Sequence, residues 1–123
     1  MQKVAVIDDD TDMLSMVARM LGEGGYEVMA FSNVDAAVAA LEHTKVDVIL
    51  TDIFMPRLDG FHLLALMRDS QPDVPIIAMS GGGSLIKVDM LPETKAFGAA
   101  AIIDKPFTSK QLIAVIQSTL NAR

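Results

Sequence analysis

The chain has 123 residues, 51% of them hydrophobic, with 10 Lys and Arg against 16 Asp and Glu for a formal net charge of −6. That length suits one domain with a proper core and is too short for two ordinary ones, so residues 1–123 read as a single domain. The acidic balance opposes nonspecific attraction to nucleic acid or anionic lipid, and the absence of cysteine excludes disulfides, thiolate metal sites and cysteine nucleophiles.

The apolar runs are all broken well short of the roughly 18 residues that a membrane span needs. After Met1-Gln2-Lys3 the chain enters a strand-like run without the basic, apolar and small-residue order of a signal peptide, so the expected location is cytoplasmic. That run, KVAVID at 3–8, passes from apolar residues straight into Asp8, Asp9 and Asp10, with Asp12 just beyond. Carboxylates so close repel one another, and burying one without a partner is costly or forces protonation. Met13, Leu14, Val17, Met20 and Leu21 then recur at helical spacing, and Gly22, Gly24 and Gly25 are expected to stop this first helix.

EVMAF at 27–31 is the second strand, and Ser32 or Asn33 caps a second helix whose inner stripe is Val34, Ala37, Val38 and Leu41. VDVILTD at 46–52 is the third strand; a third helix follows Asp59-Gly60 and turns Phe61, Leu64 and Met67 inward. VPIIAMS at 74–80 is the fourth strand, followed by Gly81, Gly82 and Gly83. A fourth helix is expected within VDMLPETKAFGAAA, its start blurred by Pro92 and its end marked by Gly98. AAAIID at 99–104 is the fifth strand, and Thr108 with Gln111 makes a capping-box pattern ahead of a fifth helix with Leu112, Val115, Ile116 and Leu120 on its inner face. Nearly continuous apolar strands alternating with helices specify a parallel sheet covered on both faces, and right-handed crossovers make it doubly wound. The nine methionines read as fillers of irregular gaps in that core.

In such a sheet the ligand site lies beyond the carboxyl ends of the strands. There the sequence places Asp8 and Asp9, Asp52, Ser80, and Asp104-Lys105-Pro106. A nucleotide site would need glycines after the first strand, and the glycines after Ser80 lack the Lys-Ser/Thr of a P-loop. Three carboxylates repel a bare phosphate but suit a hard divalent cation such as Mg²⁺, which takes few carboxylates and keeps exchangeable waters. Asp10 and Asp12 fall at the start of the first helix, where a cap and the helix dipole account for them. His43 and His62 lack the spacing of a metal pair and read as surface or packing residues.

Four segments, VIDDD, LTDIFMPRLDG, MSG and IDKPF, occur in an order and spacing that resemble the receiver domains of two-component response regulators, over nearly the whole chain. The resemblance implies a flavodoxin-like (βα)5 fold with strand order 2-1-3-4-5. It implies that Asp52 is the phosphoacceptor, supplied by a histidine kinase, a phosphotransfer protein or a small donor such as acetyl phosphate. Asp9, Asp52 and the backbone carbonyl of Phe54 would hold Mg²⁺, with Asp8 acting through a water. Ser80 and Lys105 would contact the phosphoryl oxygens, and Lys105-Pro106 would be the family's cis peptide. The residue types agree with those roles, because phosphoryl transfer asks mainly for positioning and charge neutralisation around a nucleophile.

The implied protein is a signalling module that contacts a downstream protein target, as a monomer or weak dimer. It would not be an enzyme beyond assisting its own phosphorylation and dephosphorylation, and the short stretch after the fifth helix leaves no room for an output domain. One position departs from the pattern. Many receivers carry an aromatic residue three before the lysine; this chain has Ile102, which has no ring or hydroxyl to exchange between two environments. The expected readout therefore runs through Gly81, Gly82, Gly83 and the fourth helix, with a partner on the surface around Ile102, Lys87 and Lys95. Phe54 would shield the mouth of the site, and Gly82 offers no side chain to orient an attacking water. The alternatives are a degenerate receiver that binds partners without phosphorylation, and an Asp-nucleophile Mg²⁺ phosphatase. For the phosphatase Asp8 and Asp10 have the right spacing, but Asp52 would be left without a role.

Overall fold

Residues 1–52, 73–80 and 99–122 are described by this computed structural model, and among them five strands alternate with three helices. In chain order these are β1 (Lys3–Ile7), α1 (Thr11–Glu23), β2 (Glu27–Phe31), α2 (Val34–Leu41), β3 (Val48–Asp52), β4 (Ile76–Ser80), β5 (Ala99–Asp104) and α3 (Ser109–Asn121). The strands form one parallel sheet in the order β2-β1-β3-β4-β5. The third and fourth helices expected from the sequence lie outside the described residues, as do Phe54, His62, Gly81, Gly82, Gly83, Lys87 and Lys95.

Alternation along each central strand divides its side chains between two cores. Ala5, Ile7, Ile49 and Ala78 pack with Val34, Ala37 and Leu41 of α2. Val4, Val6, Leu50, Ile77 and Met79 pack on the opposite face with Val17 and Leu21 of α1 and Leu112 and Ile116 of α3. Two covered faces explain why β3 and β4 are apolar nearly throughout and fully buried. Each of the buried Val, Leu, Ile and Met side chains stabilises the fold by about 1.5–3 kcal/mol, and each buried alanine by less.

β2 and β5 have the bounds expected from the sequence, whereas β1, β3 and β4 are shorter than their apolar runs. Asp47 is used to align β1 with β3: its carboxylate accepts the Lys3 N–H at 2.7 Å, and its own N–H donates to the Lys3 carbonyl at 2.8 Å. Pro75 has no N–H for the ladder, so β4 begins after it, although its carbonyl accepts the Ile49 N–H at 3.0 Å. Asp8 lies just past the β1 ladder but stays anchored, donating its N–H to the Phe31 carbonyl at 3.1 Å. Met1 and Met16 are exposed, so the methionines are not all core fillers: Met16 faces away from the stripe that Met13, Val17 and Met20 turn inward. The inner face of α3 also includes Thr119, which a search for apolar residues passes over.

Caps set the helix ends. Asp10, Asn33 and Thr108 are the N-caps, and the Thr108–Gln111 capping box is formed in both directions, at 3.1 and 2.9 Å. At the end of α1, the Tyr26 N–H bonds to the Leu21 carbonyl and the Gly25 N–H to the Gly22 carbonyl, a Schellman motif around Gly25 at φ 93°. Gly22 is therefore part of the last helical turn and does not stop it. An added Cβ would meet nothing within 4 Å at either Gly22 or Gly25, so backbone conformation alone decides the effect. Gly25→Ala is expected to cost about 1–2 kcal/mol through its left-handed φ. Gly22→Ala is expected to gain up to about 1 kcal/mol through helix propensity. Opposite shifts in the urea midpoint would check both.

Candidate functional site

The parallel register sets the carboxyl ends of β1, β3, β4 and β5 along one edge of the sheet. β3 contributes Asp52, paired with Met79; β4 contributes Ser80, paired with Asp104; and Asp8 and Asp9 follow β1 directly. Lys105 follows β5, its N–H donating to the Ser80 carbonyl at 2.8 Å, and its peptide bond to Pro106 is cis.

One carboxylate oxygen from each of Asp8, Asp9 and Asp52 lies within 4.8 Å of the other two. Asp8 and Asp52 are buried and Asp9 is exposed. The Lys105 ammonium bridges the two buried carboxylates, donating to Asp8 Oδ2 at 2.8 Å and to Asp52 Oδ2 at 3.0 Å. Burial alone would push the lysine pKa down, but the hydrogen bonds to Asp8 and Asp52, with their charges, outweigh it and hold the pKa above the ordinary 10.5. Lys105 is thus a cation across the neutral range.

A raised pKa means that the folded state binds this proton more tightly than the unfolded state does. Its contribution to stability is fully present below pH 10.5 and is lost as pH rises from there through the folded-state value. Urea midpoints of wild type and Lys105→Met are therefore expected to keep a constant difference from pH 8 to pH 10 and to converge above about pH 10.5, the ordinary lysine value. A difference that shrinks between pH 8 and pH 10 would contradict this electrostatic picture.

Three carboxylates against one ammonium leave excess negative charge in a largely buried pocket, which suits a divalent cation with oxygen ligands. The hydroxyl of Ser80 points to a second guest. Ser80 is 2% exposed, and its Oγ has no hydrogen-bond partner among the described residues. A buried hydroxyl left unsatisfied costs about 1–3 kcal/mol, which a ligand oxygen would relieve. The donor set thus fits a cation together with an anionic oxygen ligand.

Other candidates fall outside the cluster. Asp10 and Asp12 are not among its three carboxylates; the Asp10 side chain caps α1 by accepting the N–H groups of Asp12 and Met13. Asp104 and Pro106 are exposed, and so is His43, beyond the end of α2. Ile102 pairs with Ala78 and packs, half-buried, against the core on the α2 side. Two contacts were not legible in the sequence. Thr51 is buried with Oγ1 donating to the Asp52 carbonyl at 3.1 Å, and the Asp10 N–H donates to Asp8 Oδ1 at 2.9 Å.

Comparison with known proteins agrees with this geometry. Residues 4–117 match the family model described as the response regulator receiver domain. The chain is 30% identical over 122 residues to the response regulator receiver protein CpdR of Brucella abortus, covering 99% of each. It is 33% identical over 117 residues to the transcriptional regulatory protein FixJ of Bradyrhizobium diazoefficiens, covering 95% of this chain but only 56% of FixJ, about half of that longer protein. The crystal structure of the receiver domain of NtrX from Brucella abortus superposes with a TM-score of 0.90 at 30% identity, covering 98% of this chain and 99% of that one. With the sheet order, the acidic cluster and the family match in agreement, the chain belongs to the response regulator receiver domains, the phosphorylation-dependent signalling modules of two-component systems.

Proposed function

We propose that Asp52 accepts a phosphoryl group from a histidine kinase or phosphotransfer protein, or from acetyl phosphate. The phosphorylated domain then signals by contact with a downstream protein. The observation that carries this reading is the convergence of Asp8, Asp9 and Asp52 within 4.8 Å, with the Lys105 ammonium bonded to two of them and the Ser80 hydroxyl without a hydrogen-bond partner among the described residues.

In the proposed reaction an Asp52 carboxylate oxygen attacks phosphorus, forming the acyl phosphate. The bond from phosphorus to the donor's imidazole nitrogen, or to the acetate oxygen, breaks with its electron pair going to the leaving group. Lys105 and Ser80 donate hydrogen bonds to the phosphoryl oxygens, and Lys105 moves off the Asp52 oxygen that it holds at rest. Asp9, Asp52 and the backbone carbonyl of Phe54 would hold Mg²⁺, with Asp8 linked through a water, and the ion would offset charge on the phosphoryl oxygens. A switch through Gly81, Gly82 and Gly83 belongs to the same proposal, since Ile102 is aliphatic and already packed. We read residues 1–123 as one receiver domain acting in the cytoplasm. Among the described residues, no helix is long and apolar enough to cross a membrane.

The phosphatase alternative loses support at Asp8 and Asp10. Both Asp8 oxygens are engaged, by the Asp10 N–H and by Lys105, and the Asp10 carboxylate is committed to capping α1. Incubation with acetyl phosphate and Mg²⁺ is expected to give a single phosphoryl adduct by intact mass and none with a chelator. Equal labelling with and without the chelator would contradict the metal part of the reading. No labelling by acetyl phosphate or by any of a panel of histidine kinases would contradict the phosphoacceptor itself.

A further inference from the structure

Asp10 does not reach the carboxylate cluster, yet it is bonded to the structure on both sides. Its Oδ1 accepts the N–H groups of Asp12 at 3.0 Å and Met13 at 3.2 Å, and its carbonyl accepts the Leu14 N–H at 2.9 Å. These bonds fix the start of α1. Its own N–H, set by that cap, donates to Asp8 Oδ1 at 2.9 Å, while Lys105 holds Asp8 Oδ2 at 2.8 Å. The Asp8 carboxylate is therefore tied at both oxygens, to the helix start and to the ammonium that also holds Asp52. Asp9 stands between these two pinned residues, exposed and without a side-chain hydrogen bond among the described residues. Its placement comes from the backbone on either side.

We infer that Asp10 is a positioning residue for the cation site: by capping α1 it fixes the turn from Asp8 to Asp10, and so the directions of the Asp8 and Asp9 carboxylates. The inference rests on the Mg²⁺ reading proposed above. Independent support that this pocket takes a ligand is the buried Ser80 hydroxyl, which has no hydrogen-bond partner among the described residues. A purely structural cap would contribute stability and nothing else; a positioning cap also changes how well the site holds an ion.

Asn33 supplies a matched control. It caps α2 in the same manner, accepting the Ala36 N–H at 2.8 Å, and is bonded to none of the cluster residues. The test is Mg²⁺ affinity by isothermal titration calorimetry on wild type, Asp10→Ala, Asp10→Ser and Asn33→Ala, with folding checked by circular dichroism. Asp10→Ala is expected to weaken Mg²⁺ binding about tenfold, the lower end of what losing a partner that orients a metal ligand costs. Asn33→Ala should leave the affinity unchanged. Asp10→Ser restores a capping oxygen without the charge, and recovery to within about threefold of wild type is expected of a positioning cap.

Wild type that binds no Mg²⁺ overturns the metal reading and this inference with it. Wild-type binding with Asp10→Ala unchanged overturns the inference alone. Equal weakening in Asp10→Ala and Asn33→Ala would reduce Asp10 to a stability residue, and Asp10→Ser as weak as Asp10→Ala would make the effect one of charge. Either result also overturns the positioning role.

Discussion

Asp52→Asn is expected to take up no phosphoryl group from any donor, a loss of at least about a thousandfold in labelling rate, while folding as well as wild type. The amide lacks the nucleophilic oxygen but keeps the shape of the side chain and a carbonyl that accepts from Lys105 Nζ, now 3.0 Å from Asp52 Oδ2. It also removes one of three carboxylates lying within 4.8 Å of one another. Relief of that repulsion offsets the lost ion pair, so the urea midpoint without metal should equal or exceed that of wild type. Residual labelling of the variant at the wild-type rate would place the acceptor elsewhere.

The positions of these groups were legible in the sequence for a physical reason. A parallel sheet covered on both faces demands continuous apolar strands, and such runs are easily seen; the first one or two polar residues that close each run then lie at the carboxyl edge. Asp8, Asp52, Ser80 and Lys105 were found this way, and the family's motifs supplied the roles proposed for them. What the apolar pattern does not contain is the partner across the gap. Asp47 and Pro75 set where β3 and β4 begin through backbone hydrogen bonds that hydrophobicity does not encode. Thr119 is buried despite its hydroxyl, and Met16 is exposed despite its thioether, because position on the helix outweighs residue type there. Gly22 looked like a stop signal, but the positive φ that ends α1 belongs to Gly25. The bond from the Asp10 N–H to Asp8 joins residues two apart, and only the turn geometry reveals it.

Lys105→Met is expected to slow phosphoryl uptake about a hundredfold, the cost of removing one preorganised donor from developing charge. Its effect on the resting protein is also large. The ammonium, 14% exposed on its side chain, is the partner shared by two carboxylates that are 0% and 10% exposed. Removing it takes a countercharge away from two buried carboxylates and should destabilise the metal-free fold by about 3 kcal/mol, the low end for breaking a buried pair because the site keeps some access to water. Mg²⁺ would replace part of the missing positive charge, so the variant's urea midpoint should rise more with Mg²⁺ than that of wild type. Equal gains in both proteins would show that Lys105 and the cation do not share the same carboxylates.

In the function proposed above, Asp52 is the residue that carries the phosphoryl group. Borohydride trapping after incubation with acetyl phosphate and Mg²⁺ tests it most directly, because reduction of an aspartyl phosphate leaves homoserine, which peptide mass mapping locates. Homoserine at position 52, and at neither Asp8 nor Asp9, is the expected result. Trapping at Asp8 or Asp9, or a phosphoryl adduct that borohydride does not convert, would contradict the account.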